Sequence, residues 1–278
     1  NPIERDNDDD RRLALRERLK PFVLRRTKRE VLRDLPARTE SNIVIELTAA
    51  ERKVYDQTRL SVIGEANEIA KLSDTKDQRF KLLALLTRLR QIACHPGLVD
   101  ERWKERSTKL LQLLETIQQL SSEGHRALIF SQFVQHLKLI REMFEAEGIT
   151  YQYLDGSTSP EGRQQEVDRF QNGDATTFLI SLKAGGTGLN LTAADYVIHM
   201  DPWWNPAVED QATDRAHRIG QTKPVMVYRL ISKHTIEEEI LRLHEDKRDL
   251  VAGILDGTHA ASSLSTKELI DLLTRQEG

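Results

Sequence analysis

From Ser107 onward the chain alternates short apolar, partly β-branched runs with longer stretches of helical periodicity, and this alternation narrows the fold more than any other feature. The spacing predicts helices over 108–122, 134–146, 160–171, 206–219 and 236–254. Strands are predicted over 126–130, 149–154, 176–181, 196–200 and 225–231. Strands so short and so apolar are buried on both faces. The expected fold is therefore α/β, a parallel sheet with helices on both sides, whose ligands gather outside the carboxyl ends of the strands.

The segment before Ser107 reads differently. Residues 11–106 are mainly helical, with a Thr48-x-x-Glu51 capping box opening a long helix and a strongly apolar helix over 78–93. Asn42 to Leu47 alternates like a short strand. The expected division is a helical protrusion and connector over 1–106, an α/β lobe over 107–255, and a linker with a terminal brace helix over 256–278. The linker is the small, polar segment Gly257 to Leu264, and Ser265-x-x-Glu268 caps the helix that follows. A length of 278 residues accommodates one large core plus a subdomain, burying about three quarters of the unfolded surface.

Charge and cysteine content exclude several classes. No apolar run approaches the ~20 residues of a membrane span, and the amino terminus lacks a signal-peptide core. One cysteine, Cys94, rules out an intramolecular disulfide and fits a reducing compartment. With a net charge of −3, nucleic-acid contact needs a local patch. The stretch Lys20 to Arg33 offers one, with Lys20, Arg25, Arg26, Lys28, Arg29 and Arg33 against Glu30 alone. An exposed amphipathic helix with Val23, Leu24, Val31 and Leu32 turned inward explains the same residues, and both readings stay open.

Chemistry concentrates between Phe178 and Gln221. The loop after the strand at 176–181 carries Gly185, Gly186 and Gly188, which let backbone N–H groups approach an anion. The loop after 196–200 ends in Asn205-Pro206, an N-cap followed by proline at the first helical position. On the helix expected over 206–219, Gln211, Arg215 and Arg218 share one face; Ala212, Ala216 and Ile219 form an adjacent packing stripe, and Gly220 ends it. Two guanidiniums on a rigid face suit a polyphosphate whose charge grows in a transition state. An isolated arginine pair would read as a solvated face, with Asp214 pairing Arg218; the neighbouring glycine loop favours phosphate. A dinucleotide fingerprint fails, since Gly186 and Gly188 are followed by Leu191 where a third glycine is needed.

Other candidates give weaker signals. Trp203 and Trp204 either stack on a base or anchor their loop on the core, and anchoring is the expected role. Cys94-His95 has no second Cys/His cluster at ligand spacing, so no metal site is expected. His199 and His217 read as packing or loop-ordering residues.

Four segments resemble motifs of the Swi/Snf-type remodelling ATPases, a branch of the superfamily-two helicases. They are Leu128-Ile-Phe-Ser-Gln-Phe133, Tyr153-Leu-Asp-Gly-Ser-Thr158, Ser181-Leu-Lys-Ala-Gly-Gly-Thr-Gly-Leu-Asn190 and Gln211-Ala-Thr-Asp-Arg-Ala-His-Arg-Ile-Gly-Gln221. Their order is the family's order for its second RecA-like motor lobe. Pro21-Phe-Val-Leu-Arg-Arg-Thr-Lys28, Leu89-Arg-Gln-Ile-Ala-Cys-His-Pro96 and Asp201-Pro-Trp-Trp-Asn-Pro206 are similar to flanking family segments. The resemblance implies that Arg218 is an arginine finger, that Arg215 assists it, and that Gln211 contacts nucleotide or positions the pair. Gly186 and Gly188 would lie in the loop that couples nucleotide to a DNA track. Lys183, Gly185, Ser131, Gln132, Gly156, Ser157 and Thr158 would face the nucleic-acid backbone, although turn formation or helix capping accounts for each polar one alone. Leu182 stands where the family often has threonine.

A GxxxxGK[ST] loop and an acidic magnesium-binding segment are missing from the sequence. The family carries both on its first lobe. The chain is thus expected to be the carboxyl-terminal half of an ATP- and Mg2+-dependent translocase, inactive as an ATPase by itself. Its expected partners are double-stranded DNA, the first lobe and a DNA-bound protein, in a bacterial or archaeal cytoplasm or a eukaryotic nucleus. A non-catalytic DNA- or protein-binding module is the alternative. An RNA helicase lobe is disfavoured by Ala-His-Arg-Ile-Gly-Gln in place of a Gly-Arg-x-Gly-Arg pattern.

Overall fold

The computed structural model describes residues 35–71, 76–186, 188–253 and 266–275. The basic stretch with Arg25 and Arg26, the linker at 257–264 and Ser265 lie outside them. Six strands form one sheet: β1 (Arg38–Ile45), β2 (Ala127–Ser131), β3 (Tyr151–Leu154), β4 (Thr177–Ser181), β5 (Tyr196–His199) and β6 (Val225–Ser232). Their order is β1-β6-β5-β2-β4-β3, and every pairing is parallel. β2 and β4 are buried along their whole length, as continuous apolar runs require.

Alternate residues of these strands build two cores. Leu128, Phe130, Phe178, Ile180 and Val197 face one side, where α5 (Pro160–Asn172) brings Val167 and Phe170 and the glycine loop brings Leu182, Leu189 and Leu191. Ala127, Ile129, Leu179 and Ile198 face the other, against α3 (Thr108–Ser122) and α4 (Val134–Ala146). A third core joins α1 (Ala49–Ala70), α2 (Lys76–Cys94), α7 (Ile236–Gly253) and α8 (Thr266–Thr274) around Tyr55, Leu86, Leu89, Ile240 and Leu272. Among the described residues no helix is long and apolar enough to cross a membrane.

One expectation about the amino-terminal part is corrected. The strand expected at 42–47 among helices runs over 38–45 and is an edge of the main sheet, in register with β6 from Arg38 opposite Val225 to Ile45 opposite Ser232. Residues of α7 and α8, from the far end of the chain, complete the helical core. The capping box forms as expected: Glu51 N donates to Thr48 Oγ1 at 3.2 Å and Thr48 N to Glu51 Oε2 at 2.9 Å. Glu51 Oε1 also accepts from Thr108 N at 2.9 Å, which ties the start of α1 to the start of α3.

The chain crosses from β4 to β5 past the central β2, so the strand order reverses there. The loops after β2, β4 and β5 consequently meet at one edge of the sheet.

Candidate functional site

The loop after β4 is bound closely to the sheet. Leu182 N donates to Ser131 O at 2.9 Å, and Ala184 N donates to Ser181 Oγ at 3.3 Å. Ala184–Gly186 then forms one 3-10 turn, whose Ala184 carbonyl accepts from Arg163 Nη1 at 2.8 Å. Gly185 is buried, and a Cβ there would lie 2.9 Å from Phe130 Cε1 in the core. Its lack of a side chain therefore serves close packing against Phe130. Gly188 differs: its φ is 57°, a region L side chains avoid, and it is exposed. Lys183, in the same loop, is exposed.

The helix opened by Asn205 and Pro206 is shorter than expected. Asn205 Oδ1 accepts from Ala207 N at 3.1 Å, but the helix, α6, spans Pro206–Thr213 and gives way to turns. Tertiary hydrogen bonds claim the carbonyls that would have continued it. Leu191 N donates to Arg215 O at 3.0 Å, and Gln221 Nε2 donates to Ala216 O at 3.1 Å, Thr192 O at 3.2 Å and Ala194 O at 2.7 Å. Gln211, Arg215 and Arg218 accordingly do not share one straight helical face; the arginines sit on a turn fastened to the glycine loop. Gly220, with φ 100°, lies in that turn.

Within the arginine turn the two guanidiniums have different settings. Arg215 is 8% exposed, and burial, followed by the like charge of Arg218, holds its pKa below the usual arginine value while Asp214 opposes the shift. Arg218 is exposed, with Nη1 3.5 Å from Leu189 O in the glycine loop. Gln211 is exposed on α6. The start of β1 braces the turn: Arg38 Nη2 is 2.5 Å from Asp210 Oδ1, Arg38 Nη1 is 3.9 Å from Asp214 Oδ1, and His217 Nε2 lies 2.8 Å from Pro36 O.

The loop after β5 is anchored from beneath. Asp201, 3% exposed, accepts from Ser131 Oγ at 2.5 Å and from Gln132 N at 3.3 Å, and lies 3.7 Å from Arg90 Nη2. Ser131, expected to face a phosphate, is 1% exposed, and its hydroxyl is directed inward to Asp201. Gln132 Oε1 accepts from Arg90 Nη1 at 2.7 Å, which also turns its side chain inward. Trp203 and Trp204 stack with centroids 3.9 Å apart, and the Arg90 guanidinium lies 5.1 and 5.3 Å from their rings. The pair thus anchors the loop, the role expected of it. Sequence reasoning missed Arg90, although it falls inside one of the flanking segments.

The turn after β3 is also self-contained. Asp155 Oδ1 accepts from Ser157 N at 2.8 Å and Ser157 Oγ at 2.6 Å, and Thr158 Oγ1 accepts from Asp155 N at 3.2 Å. Burial pushes the Asp155 carboxyl up, but the Ser157 and Tyr153 hydrogen bonds outweigh it and hold it below its usual range. Gly156 and Ser157 remain exposed at the tip. Of the histidines, His199 packs on Phe130 with Nε2 3.1 Å from Thr213 Oγ1, and burial pulls its pKa down to about 4. His95 Nδ1 accepts from Gly97 N at 2.9 Å, ordering the turn after α2.

A covered parallel sheet with an arginine turn joined to a glycine loop at its carboxyl edge defines an α/β lobe of the RecA-like type. Residues 106–220 match the helicase conserved C-terminal domain, and residues 1–98 match the SNF2-related domain. The chain is 41% identical over 98% of its length to the Bacillus subtilis (strain 168) protein YwqA, whose name describes a candidate ATP-dependent helicase/translocase. The Sulfolobus solfataricus SWI2/SNF2 ATPase C-terminal domain superposes with a TM-score of 0.66 and 32% identity, covering 84% of this chain and 97% of that one. The core of the same archaeal ATPase, in a structure titled as a complex with dsDNA, gives 0.69 and 34%, covering 94% of this chain and 55% of that one. The chain belongs to the SWI2/SNF2 ATPases, a branch of the superfamily-two helicases, and corresponds to their C-terminal RecA-like lobe. It spans 30% of the length of YwqA.

Proposed function

We propose that this chain is the second motor lobe of an ATP-dependent translocase that moves along double-stranded DNA and remodels protein–DNA complexes. The observation that carries the reading is the fastening of the arginine turn to the glycine loop through Leu191 N to Arg215 O and Arg218 Nη1 to Leu189 O. Such a link lets a change at a nucleotide reach the track-facing loop. The dsDNA in the archaeal relative's title and the helicase/translocase name of the bacterial one support the choice of track and class.

ATP supplies the phosphoryl group and the free energy of each step. The residues present fit its phosphates: the charge of Arg218 adds to the burial that disfavours the Arg215 cation, which an anion beside them would relieve, and Arg218 is exposed to meet it. Arg218 is assigned to the charge that develops on the transferred phosphoryl, Arg215 to its support, and Gln211 to positioning. The carboxylates of this segment at Asp210 and Asp214 face Arg38. Magnesium is accordingly assigned to the preceding lobe. Lys183, Gly156 and Ser157, exposed after β4 and β3, are assigned to backbone phosphates, giving contact that is independent of sequence and weakened by salt.

In the complete two-lobe protein, Arg218→Ala is expected to lower duplex-stimulated ATP hydrolysis about a thousand-fold or more while DNA binding stays near normal. Turnover within a few-fold of the parent would remove Arg218 from the mechanism. Stimulation by single-stranded RNA in preference to duplex DNA would redirect the reading to an RNA helicase lobe.

A further inference from the structure

Where the sheet meets the helical core, α2, α4 and the loop after β5 bring Cys94, His136 and Asp201 together. All three are buried, and one ligand atom from each lies within 4.8 Å of the other two. They come from separate elements, so no ligand spacing marks them in the sequence. His136 is 0% exposed, and neither Nδ1 nor Nε2 has a hydrogen-bond partner. A buried polar group left unsatisfied costs on the order of 1–3 kcal/mol, so two on one ring call for a physical cause.

We propose that Cys94 Sγ, a nitrogen of His136 and a carboxylate oxygen of Asp201 bind Zn2+, with water completing a tetrahedron. Thiolate, imidazole and carboxylate together suit a borderline-soft divalent ion and disfavour Mg2+ or Ca2+. The carboxylate is already oriented, since Ser131 Oγ at 2.5 Å and Gln132 N at 3.3 Å hold the two oxygens of Asp201. Burial and the nearby Lys109 ammonium keep the His136 imidazole neutral, the form that binds metal.

The surrounding charges set the terms. Arg90 lies 3.7 Å from Asp201, Lys109 lies 2.6 Å from Glu237, and Cys94 Sγ is 3.7 Å from Glu237 Oε1. These two cations and two anions balance. When Zn2+ bonds to Cys94 the thiol proton leaves to solvent, so the pocket gains one net positive charge. Affinity should therefore rise with pH, and the bound ion should pin the Trp203–Trp204 loop to α2 and α4.

The test uses this chain, exposed to Zn2+, passed through gel filtration and analysed for metal. One tightly held Zn2+ per chain is expected, with a higher thermal midpoint in Zn2+ than in chelator and a sulfur-to-cobalt charge-transfer band when Co2+ replaces zinc. His136→Met, which keeps the core volume, and Cys94→Ala should each abolish retention and the chelator-sensitive shift while leaving the circular dichroism spectrum native. If His136→Met does not fold, Cys94→Ala and the cobalt spectrum decide. A folded parent chain that holds no ion and melts identically with and without chelator overturns the site, leaving a buried water on His136 as the explanation. Retention undiminished in Cys94→Ala, or a cobalt complex without the sulfur band, overturns it as well.

Discussion

Leu191 and Arg215 share a backbone hydrogen bond of 3.0 Å that makes the glycine loop and the arginine turn one structural unit. A disturbance of the loop backbone must therefore register in the position of the arginines. Gly188 sits at φ 57° with nothing within 4 Å of where a Cβ would be, so Gly188→Ala brings backbone strain without a clash. The left-handed region costs an L residue about 1–2 kcal/mol. Urea unfolding of the chain should show a lower midpoint with an unchanged m-value, and an unshifted midpoint would contradict the assigned conformation. Gly185→Ala meets Phe130 Cε1 at 2.9 Å and should cost about 1–3 kcal/mol by overpacking, a different cause in the same loop.

The two arginines should separate in stability although they act together. Arg215 is 8% exposed, so Arg215→Ala removes a packed aliphatic stem and should destabilise the chain by about 1–3 kcal/mol. Arg218 is exposed, and Arg218→Ala should stay within about 0.5 kcal/mol of the parent. Thermal melts of the two variants check the ordering. The reverse ordering would mean that the turn presents its guanidiniums differently.

How far the sequence revealed this arrangement follows from the range of the forces involved. The bounds of α3 and α4 agree with the periodicity at both ends, because the 3.6-residue repeat is a local signal. The sheet membership of β1 was hidden, since an alternating pattern announces a strand but not its partner, and β6 lies far along the chain. The early end of α6 was hidden for a related reason: Ala-Thr-Asp-Arg-Ala-His-Arg has acceptable helix propensity, but Leu191 and Gln221 capture its carbonyls. Ser131 read as an exposed donor at a strand end because its acceptor, Asp201, is 70 residues downstream. Composition singled out the arginine and glycine segments, which the fold joins through Leu191 and Arg215, while tertiary hydrogen bonds decided which side chains face outward.

Acid sensitivity should concentrate at Asp195, which joins the start of β5 to neighbouring elements. Its carboxylate accepts from Arg126 N at 3.0 Å and lies 2.7 Å from His125 Nδ1 and 3.3 Å from Lys223 Nζ. Burial pushes its pKa up, but these partners outweigh burial and hold it below the ordinary 3.8. With the folded-state pKa depressed, the stabilisation is fully present above about pH 3.8 and is lost as pH falls through the folded value. Asp195→Asn should lower stability at neutral pH by about 1–3 kcal/mol and flatten the acid limb of the stability curve. Urea titrations at stepped pH would show this, and an unchanged acid limb would place the sensitivity in another carboxylate.

The Arg90 side chain is 1% exposed yet contacts four groups of the loop after β5. It donates to Pro202 O at 2.5 Å, lies 3.7 Å from Asp201, and stands 5.1 and 5.3 Å from Trp203 and Trp204. Burial lowers its pKa and the Asp201 charge raises it, so each ion offsets part of the other's cost of burial. Removing one partner of a buried ion pair strands the other charge and costs about 3–5 kcal/mol. Arg90→Ala should therefore cost that much, and Arg90→Lys part of it, because an ammonium keeps the charge but loses the planar stacking and the fork of donors. Tryptophan fluorescence gives an independent readout: both variants should free the stacked pair and shift its emission toward that of exposed indole. An Arg90→Ala chain with parent stability and unaltered emission would show that the loop holds itself, and that α2 has no part in placing it.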